Sequence, residues 1–198
     1  MSPIISTLAG VSARGYGGLL SMAQAGDYFY IDSHTVVGSS TSSVTINVPS
    51  TYRHLEMRVM GRNSRPNVNG PNWCNPNNDT NTANYVTQYF YSFGTSSTNI
   101  GAAWSNSEGG LSLNSAGSTA ASNIYGVATA VILDYNDTDK WKTYIQTGAL
   151  SNNNSGDEVS GPTAGMWKST AAITSLVFRP FTSPFTEGTT IAVYGLKG

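Results

Sequence analysis

From Asp27 onward, apolar side chains recur at every second position in short runs, and nowhere with the sustained three-to-four spacing of an amphipathic helix. Val44, Ile46 and Val48 alternate with Thr45 and Asn47. After the turn residues Pro49 to Tyr52, Leu55, Met57 and Val59 alternate with Glu56, Arg58 and Met60, which makes this the clearest half-buried strand pair in the chain. In the stretch from Tyr85 to Phe93, Tyr85, Thr87, Tyr89 and Tyr91 share one face, and Val86, Gln88, Phe90 and Ser92 share the other. The run from Ile124 to Leu133 becomes apolar on both faces in its later half, which predicts a central strand. Beyond the turn from Asp134 to Asp139, Trp141, Thr143, Ile145 and Thr147 lie on one face of a further strand, and Ser151 to Pro162 reads as a loop.

The last stretch shows the same period. Ile173, Ser175 and Val177 oppose Thr174, Leu176 and Phe178, and Thr189, Ile191 and Val193 oppose Thr190, Ala192 and Tyr194. Between them Pro180, Pro184 and Gly188 mark a turn-rich connection, because neither residue type suits the interior of a central strand. The final run is expected to be locked inside a sheet, where its backbone groups find partners. Eight to ten short strands separated by turns predict an all-β chain, an antiparallel β-sandwich with a jelly-roll-like arrangement, and argue against an α/β enzyme.

Residues 1–26 stand apart. Gly10, Gly15, Gly17, Gly18 and Gly26 interrupt the segment, and it cannot bury a core of its own. It reads as a short irregular N-terminal arm ahead of one sandwich domain at 27–198. Ile5, Leu8, Arg14 and Tyr16 are its candidate docking residues, and a loose arm with a solvated Arg14 is the plainer reading.

Charge narrows the function. Only 11% of the 198 residues are charged, the net charge is −1, and no stretch concentrates Lys or Arg, so the electrostatic footprint of a nucleic-acid binder is missing. Aromatic residues also reach 11%, which a disordered chain would not carry. No signal peptide and no apolar run of membrane-spanning length are present, so synthesis in the cytoplasm and no membrane insertion are expected. Cys74 is the one cysteine, which rules out an intrachain disulfide and a thiolate metal cluster and predicts a buried, idle thiol.

Two polar stretches, 61–84 and 94–122, read as long loops and carry Trp73 and Trp104, near Tyr85, Tyr89 and Tyr91 in sequence. Aromatic rings flanked by Asn and Asp suit sugar recognition, where the ring stacks on C–H groups and the amides take hydroxyls. The same rings could instead fill the core or a subunit interface. The other candidates carry less. His34 and His54 have no evident partners, and no nucleophile, zinc or phosphate-loop motif occurs. Asp134, Asp137 and Asp139 could offer oxygens to Ca²⁺, but a turn built on Asp and Asn explains them as well. A glycosidase would need two of Asp79, Glu108, Asp157 and Glu158 to meet across a sugar. No cofactor is implied.

The successive segments Val48–Leu55, Leu133–Tyr135 with Lys140–Lys142, Gly165–Trp167, Ile173–Leu176 and Ala192–Lys197 resemble a widespread group of tailed-bacteriophage virion proteins. Ile5–Leu8 with Ser12–Gly17 is similar to an N-terminal segment of phage tail-fibre-like and adhesin proteins. The resemblance implies a non-enzymatic structural protein on the tail or head surface of the particle. Its partners would be other virion proteins, further copies of itself (a trimer by analogy with fibres), and a host-surface glycan or protein. A capsid decoration or cement protein is the alternative, and a carbohydrate-acting enzyme ranks below both.

Overall fold

A computed structural model of the chain describes residues 28–94, 100–105, 109–151 and 158–197, with backbone alone for 93, 94, 100–104 and 158. The 1–26 arm therefore lies outside the described residues, and with it Ile5, Leu8, Arg14 and Tyr16.

The described residues form two antiparallel sheets packed as a sandwich. Twelve strands follow one another: β1 (Tyr28–Thr35), β2 (Val44–Asn47), β3 (His54–Gly61), β4 (Asn72–Pro76), β5 (Tyr85–Gly94), β6 (Ile100–Ser105), β7 (Leu111–Leu113), β8 (Gly126–Ile132), β9 (Lys142–Leu150), β10 (Glu158–Trp167), β11 (Ser175–Pro180) and β12 (Thr190–Leu196). The larger sheet has eight strands in the order β1-β12-β3-β8-β9-β10-β5-β6, and the smaller has four in the order β2-β11-β4-β7. The chain thus pairs its two halves end to end: β1 with β12, β2 with β11, β3 with β8 and β4 with β7. The pairs β5–β6 and β9–β10 are insertions in that scheme, and both extend the larger sheet past the smaller one.

The alternation read from the sequence places the core. Leu55, Met57 and Val59 of β3, Ala130 and Ile132 of β8, and Ile191 and Val193 of β12 face Val44 and Ile46 of β2, Leu111 and Leu113 of β7, and Leu176 and Phe178 of β11. Each such aliphatic side chain contributes about 1.5–3 kcal/mol by leaving water. The last strand is held on both sides, by β1 and by β3.

Several local expectations need correction. β2 and β3 are not paired to each other; the turn between them crosses from one sheet to the other, as does the connection from β11 to β12. The stretch 61–84 contains β4 and a 3-10 turn at Thr82–Asn84, and 94–122 contains β6 and β7, so neither is one long loop. β4 escapes pattern reading because amides replace its apolar residues: buried Asn75 donates to the carbonyls of Asp79 (2.8 Å) and Gly109 (2.6 Å) and accepts from Arg179 (3.1 Å). β10 begins at Glu158, within the expected 151–162 loop, and includes Pro162. Proline is tolerated there because Gly161 and Pro162 pair only with β9, and the ladder to β5 skips both. β8 is central in its sheet, but Val127 on its outer face is exposed, so its two-sided apolar pattern is not two-sided burial.

The connections are held by side-chain to backbone bonds. The Arg62 guanidinium donates to the carbonyls of Ser118, Ala120, Ala121 and Ile124, which gathers 118–124 against the end of β3. Buried Asn63 donates to the Gly70 carbonyl (2.7 Å) and to Asn72 Oδ1 (3.1 Å) while accepting from the Arg65 N–H (3.1 Å), which folds 63–72 into a closed excursion.

Candidate functional site

Because the larger sheet overhangs the smaller one, the inner faces of β10 and β5 run out beyond the covering strands. A cleft of about 410 Å³ lies there, within the range of small-ligand sites. One wall is the inner face of the large sheet, with Tyr89 and Tyr91 of β5 and Val159 and Thr163 of β10. Facing it are Trp73 of β4, Ser112 of β7, Asn114 and Phe181, with Arg65, Asn69 and Pro71 at the rim.

The aromatic side of the cleft is fixed in place. The Trp73 and Phe181 rings meet edge to face, with centroids 5.8 Å apart. The Arg65 guanidinium lies over Phe181, 5.1 Å from the ring centroid. The Phe181 N–H donates to the Pro71 carbonyl (3.0 Å), and the Arg65 carbonyl accepts from the N–H and hydroxyl of Ser118. Trp73 is covered on its other side by Gly109 and Gly110. A Cβ at Gly109 would lie 2.6 Å from the indole nitrogen, so only glycine lets the backbone approach this closely. On the opposite wall Gly161 has φ +151°, and a Cβ there would lie 2.0 Å from the Phe90 carbonyl oxygen.

Behind the cleft the packing between the sheets is polar. Tyr144 ties β7 to the large sheet, its hydroxyl accepting from the Ser112 N–H (3.2 Å) and sharing a bond with the Thr87 hydroxyl (3.2 Å). Gln146 of β9 is paired across the ladder with Thr163 and wholly buried, and neither polar atom of its side chain has a hydrogen-bond partner. A methyl group at Gly148 would lie 2.3 Å from Gln146 Nε2 and 2.9 Å from Asn114 Nδ2, so the two amides converge on one point.

Of the aromatic candidates from the sequence, the fold brings Trp73, Tyr89 and Tyr91 into this cleft. Tyr85 is a correction: it occupies the same face of β5 but lies under the covering strands, wholly buried, and donates to the Asp79 carbonyl (2.7 Å). Burial pushes its hydroxyl far above the ordinary tyrosine range. Trp104 is also relocated, from a loop to β6 opposite Gln88, and its side chain lies outside the described residues. Sequence reading missed Arg65, Phe181, Asn114 and Gln146. Phe181 could have been found, as a large ring in a proline-flanked turn that no strand pattern explains.

Asp79 and Asp134 among the remaining candidates have structural tasks. Asp79 accepts from Trp167 Nε1 (2.7 Å), Asn84 Nδ2 (2.8 Å) and the Asn81 N–H (2.9 Å). Desolvation would raise its pKa, but these three donors together hold it below the usual carboxylate range. Glu108, Asp157 and the side chain of Glu158 lie outside the described residues. Asp134 accepts from Lys140 (2.7 Å) and Arg53 (2.9 Å), which lower its pKa to about 2, and Lys140 also reaches Asp137 (3.2 Å). Among the described residues no three His, Cys, Asp or Glu side chains group as metal ligands. His54 Nδ1 accepts from the Asp134 N–H (2.9 Å), and His34 sits exposed on edge strand β1. Cys74 is fully buried in β4, and burial drives its thiol pKa far up, away from reactivity.

Comparison with models of known protein families gives no match, and no curated protein is significantly similar in sequence.

Proposed function

We propose that the protein is a non-enzymatic component of a tailed-phage particle, a tail-fibre or adhesin subunit that holds a host-surface glycan in the cleft between its sheets. The observation that carries this reading is the convergence of Trp73, Tyr89, Tyr91 and Phe181, residues from three different parts of the chain, around one cleft that the amides of Asn69 and Asn114 also line. Flat rings beside amides and hydroxyls are the complement of a sugar, whose faces are apolar and whose edges are polar. The end-to-end pairing of the chain's halves fits a jelly roll with two inserted strand pairs, an architecture shared by viral coat and lectin domains. In this reading residues 1–26 dock on the tail and the subunit works as a homo-oligomer.

The test is a glycan array of bacterial surface polysaccharides probed with the wild type and with Trp73→Ala. Retention of one glycan class by the wild type, and its loss in a variant that keeps its melting temperature, supports the proposal. A well-folded wild type that retains no glycan overturns it.

A second reading, a decoration or cement protein of the head, is favoured by the outer face of the large sheet. Tyr30, Met60, Val127 and Ile145 are exposed there, and on the central strands β12, β3, β8 and β9 its charges are confined to the ion pair of Glu56 and Arg58 (2.7 Å). Such a face suits burial against another subunit. Immunogold labelling of purified particles separates the two: label on the tail supports the adhesin, and label spread over the head supports decoration.

A further inference from the structure

We infer that the cleft selects an acidic sugar, with the ligand carboxylate on Arg65 and its hydroxyls on the Asn114 amide. This rests on the glycan reading of the cleft and goes beyond it by naming the ligand's charge.

Arg65 is the one charged group among the described residues that line the cleft. It has no carboxylate partner among the described residues, and its guanidinium lies over the Phe181 ring. A guanidinium held against a ring and without a carboxylate keeps N–H donors for a ligand carboxylate, which it can take in bidentate fashion. Its backbone is anchored on both sides, at the N–H by Asn63 and at the carbonyl by Asn67 and Ser118, so little ordering remains to be done on binding. The cleft supplies an independent observation. The Asn114 side chain lines it and makes no hydrogen bond to any described residue, so its amide is open to an occupant. An apolar ligand would leave that amide and the guanidinium without a partner. A neutral sugar would pair the amide alone. An acidic sugar pairs both.

The experiment uses isothermal titration of the full-length chain with trigalacturonic acid and a sialyl trisaccharide, each beside its methyl ester. Esterification removes the charge and keeps the rings and hydroxyls. The expected result is that one of the acids binds about tenfold tighter than its ester, a preference abolished in Arg65→Gln and partly kept in Arg65→Lys. Asn114→Ala should weaken acid and ester by the same factor. Equal binding of acid and ester by the wild type overturns the charge assignment and leaves the glycan reading standing. Binding of neutral array glycans with no binding of either acid also overturns it. Failure to bind any sugar at all defeats the glycan reading itself.

Discussion

Replacing Gln146 with methionine should make the protein more stable, although the substitution removes a buried polar residue from the middle of a sheet. Gln146 is fully buried on β9 between Ala130 of β8 and Thr163 of β10, and neither its carbonyl nor its amino group is hydrogen-bonded. A buried amide that has given up water without gaining a partner costs about 1–3 kcal/mol. Methionine has nearly the same length and volume and the same unbranched stem, so the change adds neither a cavity nor a branch against Gly148. Allowing for imperfect repacking, the net gain should be about 1–2 kcal/mol. At about 2–4 °C per kcal/mol for a chain of this size, the melting temperature should rise by about 2–8 °C. Calorimetry and urea unfolding with an unchanged m-value would measure it. Gln146→Ala removes the same amide but opens a hole, and should gain little or nothing. A loss of 1 kcal/mol or more in the methionine variant would show that the amide is satisfied in the folded state.

Two further predictions concern the frame. Asp134 is held at about 2 by Lys140 and Arg53, against 3.8 for a free aspartate, so its contribution is complete above pH 4 and lost as pH falls through 2, where the folded state finally takes up the proton; the fall in melting temperature between pH 4 and 2 should be shallower in Asp134→Asn. Gly161→Ala would place a methyl group 2.0 Å from the Phe90 carbonyl at a φ of +151°, and should cost at least about 2 kcal/mol in urea unfolding; a loss under 0.5 kcal/mol would show that β10 can shift away from β5.

The sandwich was legible because each core strand carries its own period-two signature: Leu55, Met57 and Val59 or Ile191 and Val193 can face inward only if the chain is extended. Which strands pair was not legible. β2 and β3 look like a hairpin in sequence, but the core sits between two sheets, and neighbouring runs bury their apolar faces by facing each other rather than by lying side by side. β4 was hidden because its buried positions include Asn72 and Asn75, whose side-chain bonds (Asn72 Oδ1 accepting from Asn63, Asn75 donating to the Gly109 carbonyl) are invisible to a hydrophobic pattern. At the site, Trp73, Tyr89 and Tyr91 stood out as rings without a helix or an obvious core to bury them. Tyr85 obeys the same alternation and yet is core, because coverage along β5 depends on how far the second sheet reaches, a property of topology rather than of the strand. Arg65 and Phe181 come together only because 63–72 folds back and the Phe181 N–H binds the Pro71 carbonyl, a contact across more than a hundred residues.

The mismatch between an eight-stranded and a four-stranded sheet explains why one domain carries both an aromatic cleft and a broad face poor in charge. Sheets of equal size would cover each other's inner faces and leave no room for a ligand between them. The inserted pairs β5–β6 and β9–β10 lengthen one sheet only, so the inner face of β5 and β10 is left half covered while their outer face widens the exposed sheet. Along β5, Tyr89 and Tyr91 face the cleft and Gln88 the outer side, with Phe90 also bordering the cleft; along β10, Thr163 points inward and Ala164 outward. Because successive residues of a strand project to opposite sides, ligand contact and subunit contact draw mainly on different side chains. A copy packed against its neighbours through the outer face would still present its cleft. On the proposed reading glycan capture and multimeric assembly are therefore compatible in one chain, and the clustered clefts of an oligomer would bind a repetitive polysaccharide far more tightly than one cleft alone.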